Sequence, residues 1–445
     1  MKGWLAVALL LALSLTAAAE PTALGLDEAI ARAVESNLTT RESRERIREA
    51  EGSVTAAYAA FAPQLGLTVG QFNRTVNLKA QGFDAPGLPI PALIGPFYSF
   101  DSRLQLLYKV FDPRRGFEVE AASLGRDLRE AESELARRTV TVLTAVDYIY
   151  ALQAEEKLHT SQADVALAER LLQLAQNQEQ AGVGAGVDVT RAQTRLAEQR
   201  LTLAQDEEAV RSTQRELLRV TGLPLTSGVQ LTDQLQLLPN PYPGEEETVA
   251  MARSERLEMR LRNYQLSLAE ARLHATEADN SPTVDVAADV GFSGNTPFDN
   301  SFITHAVGIN LRWPLFDGGA TEGQIEAAKS RVTQARLERD DQSIQVDKDV
   351  RDAYSILRTA QARLAVAGQA VELARTELEM SEDRFSAGLT NNIEVLSSQA
   401  ALTRLSVQRV DALASYNLAL IQLAAASGRP DMLLEVFHKR GVTDE

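Results

Sequence analysis

The stretch Phe97–Phe111 reads FYSFDSRLQLLYKVF. Tyr98, Phe100, Leu104, Leu106, Tyr108 and Val110 fall on one face of an extended chain, and Ser99, Asp101, Arg103, Gln105 and Lys109 on the other. That alternation predicts a two-faced β-strand. Thr283–Phe292 repeats it, with Val284, Val286, Ala288, Val290 and Phe292 opposite Asp285 and Asp289, and so does Phe302–Trp313. Leu65–Leu78 is a weaker fourth copy that changes phase near Gln71. A half-buried strand of a soluble sandwich would alternate in the same way. However, four strands in two hairpins, held apart by long helical runs, cannot close a sheet alone, and open edges are intolerable in lipid. Closure therefore needs several copies of the chain. Aromatics near the strand ends (Tyr98, Phe100, Tyr108, Phe292, Trp313) suit the interfaces of a membrane barrel.

The helical runs are marked by what they lack. No proline occurs in Thr22–Ala62, Arg114–Leu223, Gly244–Ser281 or Leu315–Arg429, and these runs are rich in Ala, Leu, Gln, Glu and Arg. Apolar and small residues recur at three and four, as in Leu364, Ala367, Val371, Ala374 and Leu378, close to a coiled-coil seam. Phe117–Gln180 predicts one helix about 95 Å long at 1.5 Å per residue, too long for a compact domain. Leu26–Phe61 and Asp188–Val220 together match that length. Ala320–Ser386 likewise matches Glu247–Asn280 plus Glu394–Ser427. The expected packing is one continuous helix beside two shorter ones stacked end to end, twice per chain.

The two halves are copies. Tyr148 corresponds to Tyr354 and Ala181 to Ala387 at an offset of 206 (354 − 148; 387 − 181), and Thr221-Gly222-Leu223-Pro224 to Ser427-Gly428-Arg429-Pro430 at the same offset. Upstream the offset is 219 (282 − 63), set by two prolines. A repeat this long is a duplicated domain half and not a solenoid unit. The implied division is 20–220 and 247–427 for the repeats, with 221–246 and 428–445 as collar segments. At the repeat ends, AGVGAGVDV (Ala181–Val189) corresponds to AGLTNNIEV (Ala387–Val395). A phosphate-cradling loop is excluded: no strand precedes the glycines, no Lys-Ser/Thr pair follows, and the second copy loses two of three glycines. Both stretches read as reversals between helices. Gly182 and Gly388 supply a left-handed helix end, and Asp188 and Glu394 place negative charge in the next first turn.

The bulk numbers narrow the class. Residues 1–19 read as an export signal: Lys2, an apolar run Leu5–Leu15, then Ala17-Ala18-Ala19. There is no cysteine, hence no disulfide framework and no thiol for a lipid anchor. The net charge of −16 argues against a nucleic-acid partner. His159, His274, His305 and His438 have no ligand-like spacing, and no nucleophile–base cluster is visible, so neither metal, cofactor nor enzymatic activity is expected. A soluble periplasmic coiled-coil scaffold is the rival reading, but it leaves the strands and the export signal unexplained.

LDEAIARAVESN (Leu26–Asn37), FAPQLGL (Phe61–Leu67), the joints YKVFDPRRG and RWPLFDGGA, and the tips AGVGAGVDVTRAQTRL and RFSAGLTNNIEVLSSQAAL resemble the TolC-like outer-membrane efflux proteins across essentially the whole mature chain. The resemblance implies a mainly α fold with a membrane β-barrel portion. Long antiparallel helices would form a periplasmic α-barrel, and four strands per chain would contribute to a 12-stranded barrel in a homotrimer. It further implies a passive exit duct for tripartite efflux or type I secretion. The expected partners are an inner-membrane transporter, a periplasmic adaptor and outer-membrane lipid. The tips Gly182, Val183, Gly184, Gly388, Leu389 and Thr390 would meet the adaptor. The family's constricting aspartates map to Glu394 and Ser397, of which only Glu394 keeps a carboxylate. Its latch maps to Phe385, which has no hydroxyl, Thr390, which has no charge, and Asp188, so any latch would be remade through Arg191 or Arg384.

Overall fold

A computed structural model describes residues 22–82, 91–182, 184–387, 389–390 and 392–435. The expected export signal, Val183 and Gly388 lie outside these residues. The described chain falls into two compact units. One holds segments 45–131 and 260–341, and the other holds 22–44, 132–259 and 342–435.

The first unit is organised by a four-stranded antiparallel sheet, β2 (Gln64–Asn77), β3 (Leu93–Phe111), β5 (Thr283–Gly294) and β6 (Phe302–Arg312), in the order β2-β3-β5-β6. The predicted strands are all present. β3 starts earlier than Phe97, and the weak phase of β2 is explained by a register shift between Arg74 and Val76, where a bulge moves the alternation by one residue. The register aligns Leu67, Leu104, Val290 and His305 on one face and Thr68, Arg103, Gly291 and Thr304 on the other. Every residue of β6 is exposed, and so are Leu65, Leu67, Val69, Val307, Ile309 and Leu311. Among the described residues, β2 and β6 each leave one edge without a strand partner.

The helices are α1 (Leu26–Ser36), α2 (Leu38–Ala59), α3 (Pro113–Gln180), α4 (Gly186–Thr221), α5 (Glu245–Glu255), α6 (Leu257–Glu277), α7 (Ala320–Ser386) and α8 (Asn392–Ser427). Among them, none is long and apolar enough to cross a membrane. The expected single helix Leu26–Phe61 is a correction. It breaks at Asn37, which turns extended while its amide still bonds the Ala33 carbonyl and its side chain accepts from the Thr39 amide, capping α2. Glu247–Asn280 breaks likewise at Arg256, at the duplication offset of 219 (256 − 37). Neither break carries Gly or Pro. Arg256 is instead held by Glu258 and Asp349, each at 2.7 Å. Gly222 and Gly428 end α4 and α8 in the left-handed region, where Ser36 and the Glu255–Arg256 backbone leave no room for a Cβ.

The core of the second unit gathers Leu24, Leu26, Ile149, Leu152, Leu217, Leu218, Val346, Val350, Leu420 and Leu423. β1 (Thr22–Leu24) pairs in parallel with β4 (Val229–Leu231) at its edge. The equivalent tyrosines of the two repeats button this region. Tyr148 donates to the Asp233 carboxylate and lies 3.1 Å from the Leu24 carbonyl, and Tyr354 donates to the Pro243 carbonyl and meets the Thr248 hydroxyl at 2.8 Å.

Candidate constriction and docking tips

The two helix reversals carry nearly all the site residues read from sequence. At the first, α3 ends as Ala181 bonds the Asn177 carbonyl and Gly182 bonds that of Glu179 in the left-handed region (φ 75°). Gly184 folds back so that its amide reaches the Gln178 carbonyl at 2.9 Å. A Cβ on Gly184 would stand 2.9 Å from the Glu179 nitrogen, so this glycine is required by close backbone approach. α4 then starts with Asp188 in its first turn, as expected. Arg191 lies one turn on and meets Asp188 at 3.2 Å, an exposed pair within a single helix and not a bridge between the two reversals.

At the second reversal, Leu389 bonds the Arg384 carbonyl at 2.9 Å, and α8 starts with Glu394 in its first turn. Glu394 is held from two sides: the Thr390 hydroxyl donates to its carboxylate, and the Arg384 guanidinium approaches at 3.5 Å. Ser397 is exposed, one position from the buried Ser398, which meets Ser381 at 3.0 Å. Phe385 is 6% exposed and packs with Leu171, Leu378 and Val395 in a small apolar cluster just behind the turns. A phenyl ring has no hydroxyl to keep solvated and gains by burial.

The link between the reversals comes from a residue that the sequence reading missed. Asn392 is buried, and its amide donates to the Asp188 backbone carbonyl at 2.9 Å. Gln178 adds a longer bond, 3.4 Å, to the Phe385 carbonyl. The only available signal was an asparagine at a helix start, which reads equally well as a local cap.

The wider chain decides what these tips belong to. Residues 29–223 and 248–429 match the family model described as outer membrane efflux protein. The chain belongs to the outer membrane efflux protein family. The two matched blocks overlap the two halves 20–220 and 247–427. Among similar proteins, Protein CyaE of Bordetella pertussis is 26% identical over 420 residues, covering 91% of this chain and 84% of that protein. Outer membrane protein TolC of Vibrio cholerae is 23% identical over 391 residues, covering 84% of each. The crystal structure of the outer membrane protein VceC of Vibrio cholerae shares the fold, with a TM-score of 0.74 and 21% identity over 91% of this chain and 96% of that one. This efflux protein is thus an outer-membrane exit channel that extends into the periplasm, and the soluble-scaffold reading is set aside.

Proposed function

We propose that the efflux protein works as a homotrimer in which three four-stranded sheets close one 12-stranded barrel. The observation that carries this is the open sheet, whose edge strands β2 and β6 have no outer partner among the described residues, while one face exposes Leu65, Leu67, Val69, Val290, Phe292, Val307, Ile309 and Leu311. Neither feature is tolerable in lipid or in water until further copies pair the edges and lipid covers the face. Val366, Leu373 and Met380 on α7 support the same reading, since these exposed apolar residues recur at intervals of seven and form one seam for a neighbouring helix. The duct is passive and performs no bond chemistry. Gly182, Val183, Gly184, Gly388, Leu389 and Thr390 are the docking tips for a periplasmic adaptor, which couples the duct to an inner-membrane transporter. Glu394, with Ser397, Asp188, Arg191 and Phe385 around it, forms the constriction. Three Glu394 carboxylates would draw cations into it.

Purification in detergent followed by planar-bilayer recording tests the assembly. A trimer with ionic current is expected, and a monomer without current overturns the reading. Glu394→Gln should weaken block by a trivalent cation added at the tip side, and unchanged block removes Glu394 from the constriction.

A further inference from the structure

The face of the sheet opposite the apolar one carries a charge constellation that the tip-centred reading does not use. Arg103 of β3 donates to Asp101 on its own strand through two nitrogens, at 2.9 and 3.2 Å. It also donates to Asp289 of β5 and, at 3.2 Å, to the Thr304 hydroxyl of β6. One side chain thus spans three strands. The register explains how: Arg103 pairs with Gly291, and Gly291 pairs with Thr304. The glycine, which carries no side chain, leaves an open lane between Arg103 and Thr304. Gly291 has no substitute, because a Cβ there would come 2.3 Å from the Ser102 carbonyl oxygen and 2.8 Å from the Arg103 Cα. The cluster sits near the β5–β6 turn and midway along β3, which runs on past it with β2 towards their own turn. The other charges of this face lie on other rows: Arg74 stands towards the β2–β3 turn, and Lys109, Asp285 and Arg312 towards the helical end.

We propose that Arg103, pinned along the Gly291 lane by Asp101 and Asp289, sets the charge selectivity of the duct's distal mouth. The proposal rests on the duct reading above, in which this polar face lines the bore. One guanidinium against two carboxylates leaves one net negative charge per chain, so the mouth ring favours cations while the bore stays clear. Removing both carboxylates frees the guanidinium to project inward and changes the local charge from −1 to +1 per chain. Removing the guanidinium changes it to −2.

The test records reversal potentials of the purified protein in planar bilayers under a KCl gradient, for wild type, Arg103→Gln and Asp101→Asn/Asp289→Asn. Inositol hexakisphosphate is then added only on the side of the β5–β6 hairpin, so that the tip constriction does not mask the result. The expected order of cation preference is R103Q above wild type above the double variant, with block by the polyanion gained only by the double variant. Equal reversal potentials together with no gain of block overturn the proposal while the duct stands. A wild-type trimer without current overturns both.

Discussion

Replacing Arg384 with glutamine should strengthen block of the channel by trivalent cations, the opposite of what Glu394→Gln does. The guanidinium lies 3.5 Å from the Glu394 carboxylate, with 58% and 37% of the two side chains exposed. Bare Coulomb attraction at that distance is about 1 kcal/mol in water, and pairs this exposed contribute about 0.2–1 kcal/mol once hydration and side-chain entropy are counted. A cation entering the proposed constriction at Glu394 must compete with that pairing. If three carboxylates of a trimer face one trivalent ion, freeing them yields about 0.6–3 kcal/mol, or roughly 3- to 150-fold in half-blocking concentration. The Thr390 hydroxyl still orients Glu394 in the variant, so the carboxylate keeps its place. The assay is titration of single-channel current with the ion added at the tip side, repeated at high salt, where screening should shrink the difference. Block that is unchanged or weaker in Arg384→Gln would refute the argument, because the guanidinium would then not be neutralising the ring.

Two further outcomes follow from the second unit. Tyr148→Phe should loosen β1 and β4 more than Tyr354→Phe does: the first loses a bond to a carboxylate, worth about 1.5–3 kcal/mol, and the second bonds to neutral oxygens, worth about 0.5–1.5 kcal/mol. Hydrogen exchange at Thr22–Leu24 and Val229–Leu231 reads this, and equal protection in the two variants contradicts it. Asp164 on α3 has its pKa raised by burial, an effect that the Thr403 hydroxyl and Arg195 only partly offset. The folded state therefore holds the proton more tightly than the unfolded one, and stability is lost as pH rises from the ordinary aspartate range through the raised value. Asp164→Asn should accordingly raise the melting temperature at pH 7 and lose that advantage near pH 3; an equal gain at both values contradicts it.

The four strands, the long helices, the doubling and the helix-ending role of Gly182 were all legible in the chain, because each is a local pattern: a period of two, a period near 3.6, a repeated offset, or a backbone conformation that glycine adopts cheaply. The proposed constriction was legible only as a set of positions. That Phe385 would turn inward, that Arg384 and Thr390 would hold Glu394, and that Asn392 would tie the two reversals together depended on which helix ends came within 3–4 Å of one another. The breaks at Asn37 and Arg256 were hidden for a related reason. Both segments are good helix formers, and the interruption is stabilised by partners far along the chain, the Val220 carbonyl for Asn37 and Asp349 for Arg256. The Arg103 lane needed the register as well, since it exists only because Gly291 falls opposite that arginine. Periodicity fixes which elements form and which faces they bury, but hydrogen bonds between distant residues form only once packing has set the distances.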